Sequence, residues 1–178
     1  MFRAGVGFYA LFGFGWWLLG ASATSGGARI AVMIVGGAVA VGLMVAARRL
    51  LPASAGGPPP PDRRRRFFQI NAAQWVLIAG VAVACGTLGV PELVAPLIAL
   101  VVGLHFLPLA AVFAQPALRV PAALMSTVGV AGAAVALGGG SGESVRLMVG
   151  GLSALSLWGT AVRTVAAAAA AGAVSSGP

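Results

Sequence analysis

The chain has 178 residues, of which 60% are hydrophobic and only 8% charged, and its net charge is +8; its mean hydropathy is +1.01. A soluble domain carries charge on about a quarter of its residues, so composition excludes that class and points to lipid as the solvent. Every basic residue is an arginine, and most sit beside apolar runs, where membrane orientation and anionic headgroups explain them better than nucleic acid does.

The apolar runs are continuous and rich in Ala, Gly, Leu and Val, which suits transmembrane helices and not the alternating segments of a β-barrel. The first predicted span covers residues 4–20, with Trp16 and Trp17 near its far end, where indoles favour the headgroup boundary. A cleaved signal peptide is the competing reading, with Arg3, an apolar core and Ala21-Ser22-Ala23 as the cleavage pattern. The run is long for such a core, so a retained span is expected. Span two covers 30–47 and stops at Arg48-Arg49. Residues 48–66 form the predicted linker, with prolines 58–61, Asp62 and the block Arg63, Arg64, Arg65 and Arg66. The prolines favour an extended spacer, and these arginines are expected to contact lipid headgroups.

Spans three (67–88) and four (93–113) are joined by a tight turn at Gly89-Val90-Pro91-Glu92. Span five covers 120–137, a glycine-rich loop follows, and span six covers 145–165 before fading into an alanine run. The expected fold is therefore all-α: a single-domain bundle of six transmembrane helices in three in-out-in hairpins. The arginines around the linker place it, and with it both termini, in the cytoplasm; Arg29 and Arg146 are the two that fall on the other side. The first and third hairpins share a faint repeat, an arginine opening the return helix and a Gly-Gly pair soon after (Gly36-Gly37, Gly150-Gly151).

Helices in lipid have no hydrophobic drive to associate, so close approach through small side chains must hold them. Such residues recur: Gly36, Gly37 and Ala40 on span two, Gly80 and Ala84 on span three, Gly129 and Ala133 on span five. Folding spans three and four at Gly89-Val90 sets Gln74 level with His105, the only histidine, and Asn71 level with Pro108. Ser153, Ser156, Thr160 and Arg163 share one face of span six by their spacing. The expected site is a polar seam of His105, Gln74, Asn71, Ser156 and Thr160 between spans three, four and six. Intramembrane ionisable groups are functional candidates; the plainer role for His105 is a hydrogen bond that ties two helices together.

None of the three acidic residues (Asp62, Glu92, Glu143) lies in the body of a span, which argues against cation- or proton-coupled transport. One histidine and one cysteine, Cys85, make no zinc or haem site, and no phosphate-cradling glycine loop with its lysine is present. No metal or cofactor is expected. An intramembrane serine hydrolase needs a nucleophile and base within hydrogen-bond reach and an oxyanion site. Rhomboid proteases place the serine before the histidine, whereas His105 precedes Ser156 here. That reading is remote.

The run Gly103-Leu104-His105-Phe106-Leu107-Pro108-Leu109-Ala110, preceded by Pro91-Glu92-Leu93-Val94-Ala95-Pro96, resembles small bacterial integral membrane proteins of unknown function. The resemblance implies no activity. The expected role is a non-enzymatic scaffold or accessory subunit of the bacterial plasma membrane, associating with itself or with another membrane subunit. The alternative is a small permease or channel for a neutral or anionic solute.

Overall fold

The computed structural model describes residues 3–51 and 60–175. Among them the chain forms six α-helices and no strand: α1 (Arg3–Ala21), α2 (Gly26–Leu50), α3 (Pro61–Thr87), α4 (Val94–Val112), α5 (Arg119–Leu137) and α6 (Gly142–Ser175). Short 3-10 turns at Pro91–Leu93 and Pro116–Leu118 lead into α4 and α5. Five stretches are long and apolar enough to cross a membrane: Gly26–Leu50, Pro61–Thr87, Pro91–Val112, Pro116–Leu137 and Gly142–Ala170. α1 supplies a shorter apolar stretch, Gly5–Ala21.

Two helix ends differ from the sequence expectation. The arginine block, expected in the linker, belongs to α3, which starts at Pro61. Proline fits the first turn of a helix because no N–H is needed there, and Asp62 complements the positive end of the helix dipole. The expected prolines 58 and 59 lie outside the described residues. At the other end of the chain α6 does not fade at residue 165 but runs to Ser175, since alanine is the strongest helix former.

The turns after α3, α4 and α5 share one device. The helix ends in a residue of positive φ, and the next N–H reaches back to the carbonyl five residues earlier: Val90 to Cys85, Gln115 to Ala110, Gly140 to Val135. This is the geometry that normally recruits glycine. Gly89 and Gly139 supply it after α3 and α5, whereas after α4 the position is Ala114, with φ of 50°.

α6 is the hub of the bundle and packs against α1, α2, α4 and α5. Its buried stripe recurs every fourth residue, through Val145, Val149, Ser153, Leu157 and Ala161. The tightest pairs are α4 with α5 and α1 with α6, and glycine makes them so. A Cβ on Gly129 would lie 2.6 Å from the Leu100 backbone nitrogen and 2.8 Å from the Pro96 carbonyl oxygen. One on Gly150 would strike the backbone of Gly20 and Trp16 on α1. α2 is held differently: Gly36 receives the Trp17 ring, whose Nε1 donates to the Val32 carbonyl at 2.7 Å. Trp17, expected at the headgroup boundary, is thus a packing residue between α1 and α2. Trp158 repeats the arrangement from α6, with its ring over Gly13 and its Nε1 donating to the Ala10 carbonyl at 3.2 Å. Two indoles and two glycines clamp α1 between α2 and α6.

α3 stands apart. Among the described elements it packs only on α4 and the 3-10 turn before it, and none of its spanning window is buried.

Candidate functional site

His105 sits on the buried side of α4, 8% exposed. Its neighbour Phe106 meets the Tyr9 ring of α1 at 6.0 Å, and the imidazole itself lies beside the backbone of Ile70 on α3. The Phe67 and Phe113 rings, 5.8 Å apart, join the two helices again nearer the linker. His105 therefore sits where α4 faces α3. Its Nδ1 is buried without a partner.

The other expected seam residues are dispersed. Asn71 is half-buried and its Nδ2 donates to the Phe67 carbonyl of its own helix at 2.9 Å. Gln74, also half-buried, lies one turn beyond Ile70. The Ser156 hydroxyl donates to Leu152 at 2.7 Å and that of Thr160 to Ser156 at 2.8 Å, both along α6. Such back-bonding satisfies a hydroxyl in a helix without linking it to a neighbour. α3 and α6 do not pack backbone to backbone, and the hydrogen bonds of Asn71 on one side and of Ser156 and Thr160 on the other stay within their own helices. Arg163 is exposed.

Two buried polar groups stood outside the expected site. The Tyr9 hydroxyl and the Ser153 Oγ are enclosed and, like His105 Nδ1, have no partner. Ser153 was visible as part of the hydroxyl stripe. Tyr9 is the chain's only tyrosine and falls mid-span, a signal of the same kind as the lone histidine.

The arginines form the second feature. Arg48 and Arg49 occupy the last turn of α2, and Arg63, Arg64, Arg65 and Arg66 the first turns of α3; all six are exposed. A shallow depression beside them is lined by Pro61, Arg64, Arg65, Phe68, Gln69 and Ala72. The alternating helix directions set these cations at one end of the bundle. Among the described residues no three His, Cys, Asp or Glu side chains come together as a metal site, and Cys85 is buried and free.

Comparison of the chain with protein-family models, with curated proteins and with solved structures finds no match.

Proposed function

We propose that the protein is a multi-pass component of the bacterial plasma membrane, with both termini and the arginine-rich end cytoplasmic, that serves as a non-enzymatic scaffold or accessory subunit and docks a partner's transmembrane helix along α3. One observation carries this reading: α3 is a membrane-length helix that packs, among the described elements, on α4 and the 3-10 turn before it alone. Its outer side presents Trp75, Val76, Leu77 and Val83, all more than half exposed, together with exposed Gly80 and Ala84. A Cβ at Gly80 meets nothing within 4 Å. Small residues four apart are what lets two helix backbones approach in lipid, and elsewhere Gly13, Gly103, Gly129 and Gly150 already make such close contacts within the chain. The arginines at the foot of α3 suit anionic lipid heads, each worth about 1 kcal/mol near the surface.

The test is gentle extraction from the native membrane and native mass spectrometry of wild type and Gly80→Leu. A second polypeptide in fixed ratio, lost in the variant, is the expected result.

The unpartnered Nδ1 of buried His105 favours a second reading, a permease for a small neutral or anionic solute. Flux into proteoliposomes that disappears in His105→Leu, with the protein still folded, would select it over the scaffold.

A further inference from the structure

α1 and α4 both pack on α6 but do not approach each other directly. At mid-depth the gap between them is filled by Tyr9 against Phe106. At the end remote from the arginine-rich linker it stays open, as a cleft of about 470 Å³. Trp16 and Leu19 form one wall, Ile98 and the turn at Glu92 the other, and Arg146 of α6 reaches into it.

The charges here are unlike the others in the chain. Among the residues whose side chains are described, Arg146 is the one arginine that is not exposed, and Glu92 is the one acidic residue that is not exposed. Both line this cleft, yet no ion pair joins them. Arg146 Nη1 instead lies beside Gly142, where an added Cβ would be 3.6 Å away. Two half-buried, separated charges of opposite sign are costly unless a ligand answers both. Arg146 is also one of the two arginines that the charge asymmetry leaves on the minority side; Arg29, the other, is exposed.

We infer that this cleft holds one zwitterionic phospholipid headgroup, of the phosphoethanolamine type, from the leaflet opposite the linker. Arg146 takes the phosphate, for which a guanidinium fork is suited. Glu92 takes the ammonium. Trp16 stands at the depth where indoles meet headgroups, and Leu19 and Ile98 offer apolar surface to the start of the acyl chains. The cleft's walls belong to α1 and to the start of α4, which leave a gap between them, and the lipid enters through it. A lipid of net negative charge would satisfy Arg146 and leave Glu92 opposed.

The experiment is native mass spectrometry of the full-length protein in detergent. The probes, titrated separately, are phosphatidylethanolamine, phosphatidylglycerol, glycerophosphoethanolamine and inorganic phosphate. Wild type should retain one phosphatidylethanolamine about tenfold more tightly than phosphatidylglycerol, the scale of one charge-assisted contact. Arg146→Gln should weaken both lipids; Glu92→Gln should abolish the preference and spare phosphatidylglycerol; Arg29→Gln should change neither. Ile98→Trp, which fills the cleft and keeps both charges, should expel the lipid. Wild type without the preference, equal effects of Arg29→Gln and Arg146→Gln, or a lipid retained by Ile98→Trp each overturns the assignment. Displacement of the lipid by glycerophosphoethanolamine or phosphate at equal concentration overturns it too, in favour of a soluble phosphate compound.

Discussion

α4 meets its two main neighbours in different ways. Against α5 the backbones nearly touch: Gly103 faces Ser126 and Ala122, and Gly129 and Gly132 face Pro96 and Leu100. Against α3 contact runs through side chains, the Phe67–Phe113 ring pair and the His105 ring beside the Ile70 backbone. Both neighbours are rich in glycine and alanine, yet a Cβ on Gly129 collides with backbone while one on Gly80 meets open space. The same small residues close one interface and leave another helix surface free. What distinguishes them is the partner, not the composition.

The strongest way to break this comparison is Gly129→Leu. Its neighbours are backbone atoms that cannot rotate aside, so a loss on the order of 4 kcal/mol or more is expected, beyond ordinary overpacking. Thermal unfolding in detergent should find little cooperatively folded protein, and a normal transition would show that α4 and α5 can separate cheaply. Gly36→Leu should do less, about 1–3 kcal/mol, because its neighbour is the Trp17 ring, which can move at the cost of its bond to Val32. A rise in Trp17 exposure to a fluorescence quencher is the accompanying sign.

Ala114→Gly sharpens the account of the α4–α5 turn. Removing a Cβ from a left-handed position should raise stability by about 1 kcal/mol, read as a higher unfolding midpoint; a lower midpoint would mean that the turn does not hold that conformation. The smallest effect is expected from His105→Leu. It removes the imidazole's polar contact with the Ile70 backbone, on the scale of about 0.6 kcal/mol for an interhelical polar contact in membranes, and it also removes the buried, unpartnered Nδ1. Hydrogen exchange should show faster opening confined to α3. Destabilisation of the whole bundle would assign the histidine a wider structural role.

The helices were legible because the bilayer demands long apolar runs, and the hairpin turn was legible in Gly89 and Pro91. Phe67 opposite Phe113 agrees with folding at Gly89-Val90 at that end of the helix pair, whereas the group beside His105 is Ile70, one turn from the expected Gln74. The helix limits were less legible. Arg63–Arg66 read as linker because charge ends an apolar window, although it does not end a helix. The polar seam failed for a related reason. Equal distance from a turn fixes height in the bundle but says nothing of direction around it, and α3 and α6 are at equal heights without packing backbone to backbone. Tyr9 went unnoticed because its burial depends on Phe106, almost a hundred positions along the chain.

The central claim is that α3 is free within the chain because it is occupied by a partner. Native mass spectrometry of gently extracted wild type and Gly80→Leu, paired with thermal unfolding, tests it most directly. The account predicts a second polypeptide in fixed ratio with wild type, its loss in Gly80→Leu, and the same unfolding midpoint for the purified chain in both. A wild-type protein that emerges alone, or a partner that survives Gly80→Leu, contradicts it.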